Sequence, residues 1–319
     1  MMKLAQIEAF YSVIRAGSIS QAARQMHISQ PALSVQIREL EDFFKVQLLQ
    51  RTNKGVKATP AGILVFYYGQ KMINTREALC REIDKLLNDV DLKLLVGAST
   101  VVGGYVVPHF LHCFQTQYPE AEVHLHVGSS LHIAEMLLDG KVDIAVLEGP
   151  VPNQIVRMEK EMVTRNIGYD DLVLVGSPVI MPEGKKKVSL DEIREYPLIL
   201  CEQGSGVRAS VDKSLLEKGI HPSAINISME LNSIDAIKVS LTMGLHFSIL
   251  PLLSIQKELE FGTLRTLSIS EFSGKIPFMM IYIKKAFLSK VEKEFISFLC
   301  SGEPPFAATG SYSYIESVK

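Results

Sequence analysis

Residues 18–40 read SISQAARQMHISQPALSVQIREL, and the reading of this stretch decides the fold. It predicts two short helices with a tight break between them at His27-Ile28. Ser20 is placed to cap the first helix, whose Ala22 and Ala23 leave room for close helix–helix approach. Ser29 caps the second, with Pro31 just inside, where a missing N–H costs nothing. Ala32, Leu33, Ile37 and Leu40 fall at helical spacing and are expected to pack inward. Gln30, Ser34, Gln36 and Arg38 then carry amides, a hydroxyl and a guanidinium on the remaining faces. Such a helix suits the DNA major groove, where Gln reads adenine, Arg reads guanine and Ser adapts to several bases. On pattern alone, a small helical hairpin in any soluble protein stays open as the alternative.

Working outward, Leu4, Ile7, Phe10, Tyr11 and Ile14 form the inward stripe of a preceding helix that Gly17 ends. On the other side, Phe43, Phe44, Val46, Leu48 and Leu49 are expected to close a small core. Residues 51–59, RTNKGVKAT, predict a wing: Asn53 and Gly55 permit a tight turn, and Arg51, Lys54 and Lys57 reach phosphates. Those contacts position a protein without choosing a sequence, and each of the three cations is equally readable as a solvated surface charge. From 60 to about 90 the chain reads as one long helix. Val65, Gly69, Met72, Arg76, Leu79, Ile83, Leu86 and Val90 alternate three and four residues apart, the spacing of a coiled-coil seam. One intramolecular helix face is the other reading.

The segments LAQIEAFYSVIRAG (4–17), GSISQAARQMHISQPALSVQIRELE (17–41) and LLQRTNKGVKATPAG (48–62) closely resemble the DNA-binding region of LysR-type transcriptional regulators. The Ala22-Ala23 pair, the run Ser29-Gln30-Pro31-Ala32-Leu33-Ser34 and the exit Thr59-Pro60-Ala61-Gly62 carry the match over about sixty residues without a gap. Leu49-Gln50-Arg51 departs from it, standing where the family more often has Phe-Glu-Arg, with Arg51 kept. The resemblance implies a winged helix-turn-helix with Ser29, Gln30, Pro31, Ser34, Gln36, Arg38, Arg51, Lys54 and Lys57 toward double-stranded DNA. It also implies a linker helix that dimerises two heads over an inverted-repeat promoter site, since two-fold protein symmetry is mirrored in the site. Homodimer and homotetramer both stay open, and RNA polymerase is a further partner such a regulator would meet.

Length and charge fit that frame. At 319 residues the chain suggests two to three domains, and 47% apolar with 21% charged residues describes a soluble globular protein able to bury large cores. The net charge of −2 taken alone argues against a nucleic-acid binder. Residues 1–60, however, hold eight Lys/Arg against four Asp/Glu, so the positive charge is confined to one end. Gln6 and Glu8 interrupt any apolar run after Lys3, so no secretory leader is expected, and no segment approaches the ~20 apolar residues of a membrane span. Cys80, Cys113, Cys201 and Cys300 are far apart in sequence with no metal-type pairing, which points to a reducing cytoplasm, no metal and no cofactor.

Beyond residue 91 strand and helix signals alternate. Strands are expected at 92–97, 122–127, 142–148, 171–175, 198–201, 226–230 and 247–251, with helices at 105–117, 133–138 and 234–243. The Lys185-Lys186-Lys187 run reads as a solvated loop. Short joints between such units imply a parallel sheet, with ligands outside the carboxyl ends of its strands. This layout resembles the effector-binding half of the same family: two periplasmic-binding-protein-like α/β subdomains facing each other across a cleft. Crossovers would fall near 164–168 and 264–269, followed by a last strand at 278–283 and helix at 289–299. The whole is therefore an α/β multidomain protein. Its expected parts are a winged helix-turn-helix (1–60), a linker and dimerisation helix (61–90), effector subdomain 1 (91–165 plus 269–300), effector subdomain 2 (166–268) and a flexible tail (301–319).

Ser99, Thr100, Ser129, Ser130, Gly149, Gly204, Ser205, Arg208 and Ser233 all lie at strand ends or helix starts. Their hydroxyls and free backbone N–H groups suit a small, anionic or polar metabolite. Ser99 and Ser129 are also readable as plain helix caps, and Arg208 as a structural ion-pair partner. GSGVR is similar to the family's Gly-Ser-Gly-Thr-Arg, with Val207 removing one hydroxyl. Glu148 would repel an anion unless it turns away, binds a cationic group or pairs with a basic residue. Loose similarity of the strand IAVLEGP (144–150) points to the branch regulating sulfur or inorganic-carbon assimilation. A solute-binding protein and a redox sensor acting through Cys201 are the alternatives. The first is disfavoured by the N-terminal module and the second by the lack of a nearby second cysteine. An enzyme is not expected, because HExxH, P-loop, GxSxG and dinucleotide fingerprints are missing.

Overall fold

The structure, a computed structural model, describes residues 1–52, 55–87, 92–152, 155, 161–181, 184–270, 272, 274–284 and 288–301. The wing's Asn53 and Lys54, the seam's Val90, most of the expected tail (302–319) and the side chains of Arg51 and Leu86 lie outside what is described. The chain divides into two units, residues 1–89 and 90–319.

The first unit begins with α1 (Leu4–Ala16), α2 (Ile19–Gln25) and α3 (Gln30–Phe44). The break between α2 and α3 is sharp because His27 adopts a left-handed φ of 57°, a conformation that few residues other than glycine and asparagine take easily. Ser29 caps α3 by accepting the Ala32 N–H at 3.3 Å. The α2 cap is Ser18, not Ser20: Ser18 accepts the Gln21 N–H, and Ser20 lies inside the helix, where its hydroxyl donates to Gln30 at 2.8 Å. Phe10, Val13, Ala22, Ala23, Leu33, Ile37 and Leu40 are all buried together with Leu48. Ala32 is exposed instead of packed inward. Phe43, Phe44 and Val46 also stay exposed, because α3 runs a turn past the core before its left-handed cap at Lys45; the two phenyl rings meet edge-on at 5.1 Å.

The wing is a hairpin of β1 (Leu49–Thr52) and β2 (Gly55–Ala58), with Thr52 opposite Gly55. It docks on the end of α1, where Val56 N–H donates to Gly17 O at 3.0 Å. Gly55 has φ 124°, and a Cβ there would collide with the Gly17 carbonyl, so the close approach requires glycine. Helix α4 (Pro60–Leu87) follows, its start fixed by Thr59, whose hydroxyl accepts the Gly62 N–H. The expected seam divides. Gly69 lets Ile7 of α1 approach, Phe66 stacks on Tyr11 at 4.8 Å, and Arg76 pairs with Glu8, so Val65, Gly69 and Arg76 face the head. Met72, Leu79 and Ile83 remain exposed, together with Leu64, Tyr67 and Tyr68.

The second unit has a mixed sheet in the order β4-β3-β5-β12-β6-β10-β8-β9. Its first half holds β3 (Lys93–Ser99), α5 (Thr100–Tyr105), α6 (Val107–Gln117), β4 (Glu122–Gly128), α7 (Ser130–Leu138) and β5 (Ile144–Glu148). β3 lies between β4 and β5 and is parallel to both. The 15-residue β6 (Met162–Gly176) then passes into the second half. This half contains β7 (Lys187–Val188), α8 (Leu190–Glu195), β8 (Leu198–Cys201), α9 (Gly206–Glu217), β9 (Ile227–Leu231), α10 (Ile234–Thr242) and β10 (Phe247–Pro251). It closes with α11 (Gln256–Glu260) and β11 (Arg265–Ile269), before β12 (Lys275–Ile283) and α12 (Lys290–Cys300) return to the first half. Every residue of β5, β8 and β10 is buried, as expected for strands covered on both faces.

The crossings fall later than the sequence suggested. β6 pairs with β12 up to Asp171 and with β10 from Leu172, so the first changeover sits at 171/172. Residues 265–269 pair with β6 and β7 inside the second half, and the return is made by β12. The lysine run is partly structural, since Lys187 is in β7 and Lys185 pairs with Glu192 of α8.

Candidate functional site

Two surfaces concentrate the sequence-predicted residues. On the head, α3 presents Gln30, Pro31 and Arg38 to solvent with the cap residue Ser29, while Ser34 and Gln36 are half-buried. Leu33, Ile37 and Leu40 anchor its opposite side. Ala32 and Val35 are exposed on the same helix, and sequence reasoning missed them because it assigned apolar residues to the core. A groove of about 360 Å³ between α3 and the wing has Ser34, Arg38 and Gln50 on its walls. Lys57 is exposed on β2. A firmly anchored helix with amide, guanidinium and methyl groups on its open side has the parts needed for base-edge readout.

The second surface lies in the effector unit, at the carboxyl ends of β3, β5 and β8. A cavity of about 30 Å³ there is lined by Thr100, Ser129, Ser130, Glu148, Cys201, Glu202, Ser205, Val207, Asn232 and Ile234. Besides the short α5, which opens at Thr100, three helices start at it. Ser129, Ser205 and Ser233 cap α7, α9 and α10 by accepting the N–H groups of His132, Arg208 and Ala236, each at 3.3 Å. Of the expected residues, Thr100, Ser129, Ser130 and Ser205 meet on the wall. Ser130 is 3% exposed and its hydroxyl has no hydrogen-bond partner among the described residues. Such an orphan is uncommon in a folded interior.

The other expected residues do different work. Ser99 sits behind the wall, donating to the Glu148 carboxyl and accepting the Glu148 N–H at 2.8 Å. Gly149, with φ 79°, brings the first half against the second: a Cβ on it would collide with the Gly206 backbone, and one on Gly206 with the Glu148 carbonyl. Gly204 has φ 90° and shapes the turn into α9. Arg208 turns away, bonding Asp212 at 3.0 Å, Glu230 at 2.6 Å and the Cys201 carbonyl at 3.2 Å. A second bridge between the halves runs from the Tyr105 hydroxyl to Asp235 and Lys238, both at 3.0 Å, with Lys238 also on Glu258 at 3.0 Å.

Glu148 is the wall residue the sequence left unresolved. It is 1% exposed, and burial raises its carboxyl above the usual carboxylate range, against the hydrogen bonds from Ser99 and the Val102 N–H at 3.2 Å. A carboxylate ending the all-buried strand IAVLE was the available signal. Burial also pushes the Cys201 thiol up to about 12, so at neutral pH it is neither thiolate nor nucleophile. No group of residues suited to a metal occurs among the described residues, and none of the described helices is long and apolar enough to cross a membrane.

Residues 4–63 match the bacterial regulatory helix-turn-helix protein, lysR family, and residues 90–301 match the LysR substrate binding domain. A probable RuBisCO transcriptional regulator of Trieres chinensis is 33% identical over 275 residues, covering 84% of this chain and 86% of the relative. Among solved structures, full-length CbnR complexed with its target DNA superimposes with a TM-score of 0.70 at 22% identity, covering 93% of this chain and 99% of that one. The regulatory domain of Synechocystis PCC6803 CcmR, in complex with 2-PG, gives 0.56 at 23% identity over 66% of this chain and 96% of that one.

Proposed function

This chain belongs to the LysR family of DNA-binding transcriptional regulators, and on that premise we propose that it controls promoters of inorganic-carbon assimilation in response to a small anion bound in the effector cavity. The observation that carries the reading is the cavity itself: three helix N-termini and four hydroxyls converge on it, one of them the orphaned Ser130. Helix N-termini favour negative charge and supply free N–H donors. The RuBisCO-regulator name of the Trieres chinensis relative and the 2-PG bound by CcmR support the carbon branch.

In this reading the chain acts by binding, in the cytoplasm, and performs no chemistry of its own. Residues 1–60 read DNA, 61–90 link and dimerise, 91–171 with 275–300 and 172–269 form the two effector halves, and 301–319 is a tail. Ser29, Gln30, Pro31, Ser34, Gln36 and Arg38 address the major groove. Arg51, Lys54 and Lys57 hold phosphates, and Ala32 and Val35 meet thymine methyls. The exposed stripe Leu64, Tyr68, Met72, Leu79 and Ile83 of α4 is the dimerisation face, a pair of such dimers giving the tetramer. Because the cavity of about 30 Å³ holds little more than a water, effector entry separates the halves at Gly149 and Gly206 and shifts the spacing of the two heads. RNA polymerase then reads the altered complex.

A thermal melt of the full chain against 2-PG tests this. A ligand of the folded state raises the melting temperature progressively with concentration, and substituting Ser130→Val should remove the rise. A wild-type melt unmoved by millimolar 2-PG contradicts the anion reading.

A further inference from the structure

The effector cavity combines features that pull in opposite directions. The starts of α7, α9 and α10 and the orphaned Ser130 hydroxyl invite an anion. Yet no Lys, Arg or His among the described residues lines the wall, and Glu148 does. An ionised Glu148 and an anion in so small an enclosure would repel strongly, because little solvent screens them.

The neighbours of Glu148 decide between its two forms. From β3 and α5, Ser99 and the Val102 N–H donate to one oxygen, Oε2, and the Val101 N–H also hydrogen-bonds the carboxyl. α7 offers only Ser129 and Ser130, and β12 brings Phe278 alongside. From β8 comes the neutral Cys201 thiol, and beyond it Glu202, which is exposed and hydrated. α9 presses its Gly206 backbone against Glu148; of its two cations, Arg208 is committed to Asp212 and Glu230, and Lys213 is exposed and pairs with Glu217. Among the described residues, none packed against Glu148 supplies a counter-charge. A lone buried carboxyl of this kind is retained as the acid when an anion arrives.

We propose that Glu148 is a specificity-determining acid of this site: it accommodates an anionic effector only as a neutral carboxylic acid that donates its O–H, so that a proton lost from Glu148 in the free protein is taken up again with the anion. The proton comes from solvent. The consequence is affinity for the anion that falls with rising pH wherever Glu148 is ionised in the free protein, while an uncharged ligand would show no such loss. The inference rests on the anion reading above and adds a proton to it.

The test compares 2-PG binding to the full wild-type chain and to Glu148→Gln between pH 6 and 9. Glutamine keeps the shape and a donor but cannot ionise, and titration of the 2-PG phosphate cancels in the ratio of the two dissociation constants. The wild type is expected to weaken relative to Glu148→Gln by up to about tenfold per pH unit once Glu148 ionises in the free protein. At a pH above the ionisation of both Glu148 in the free protein and a phosphate monoester, calorimetry in two buffers of different ionisation enthalpy should show proton uptake by the wild type alone. The ionisation of Glu148 in the free protein is followed by its carboxyl infrared band, missing in Glu148→Gln; a ratio constant across that ionisation, with both proteins binding, overturns the role of Glu148 and leaves the anion reading standing. Failure of both proteins to bind 2-PG at any pH overturns the anion reading and the coupling with it. Should Glu148→Gln fail to fold, the wild-type calorimetry decides: uptake supports the proposal and its absence overturns it.

Discussion

The head and the effector cavity begin from the same local chemistry. Ser18 and Ser29 in the head, and Ser129, Ser205 and Ser233 around the cavity, all cap helices by accepting an N–H three residues on, at 3.3–3.4 Å. In the head the helix that follows Ser29 turns an open face to solvent. In the effector unit the starts of three helices face an enclosed polar space with a buried carboxyl. A capping serine therefore marks where a helix begins and says nothing about its use. What differs is what the rest of the fold puts opposite.

Both regions also rely on backbone approaching backbone at glycine, and the largest expected effects come from filling those contacts. Gly206→Ala drives a Cβ into the Glu148 carbonyl, and Gly55→Ala strains a φ of 124° against Gly17. Each should destabilise its own unit by about 4 kcal/mol or more, the range of severe core lesions. Domain-resolved denaturation would show it, and loss of stability in the other unit would break the comparison.

The next effect belongs to the effector unit alone. Burial pushes Asp170 up from 3.8 to about 7, against hydrogen bonds from the Leu253 and Asp171 N–H groups. Its folded-state value lies above the unfolded one. Folding is therefore unhindered by this group below pH 4, and stability is lost as pH rises toward 7, by about 4 kcal/mol at most. Asp170→Asn should abolish that part of the decline in a pH series of melts. No counterpart is expected in the head, so an equal slope in an isolated head would contradict the contrast.

Effects on recognition are smaller. Gln30→Ala or Arg38→Ala should cost about 1–3 kcal/mol on cognate DNA and little on random DNA. Lys57→Ala should weaken both alike and lower the salt slope by about one unit. Equal losses on both DNAs for all three would reduce α3 to a phosphate-binding surface.

How far the sequence was legible follows the same divide. Leu33, Ile37 and Leu40 repeat at helical spacing, and Gly17, His27 and Ser29 punctuate them, so the head could be read locally. The aromatic pair Phe43-Phe44 misled because spacing does not reveal that α3 outruns its core. In α4 the 3.5 period did not mark one face: part of it meets α1, where Gly69 yields space to Ile7, a tertiary fact. The short α5, with two glycines in six residues, gave no helical signal. At the cavity, Thr100, Ser129, Ser130 and Ser205 were found from their places at strand ends. Arg208 had an alternative partner set that only folding reveals, and the isolation of Glu148 from any cation depends on elements far apart in sequence.

The most direct test of the central claim, that the effector cavity governs what the head does, is DNA binding by the full chain with and without saturating 2-PG. The DNA would be a site selected by the protein itself from a random pool, with affinity and footprint read together. The account predicts a change in affinity of at least about fivefold, or a shifted footprint, in the wild type and neither in Ser130→Val. Identical affinity and footprint in the wild type, with 2-PG demonstrably bound, would contradict it.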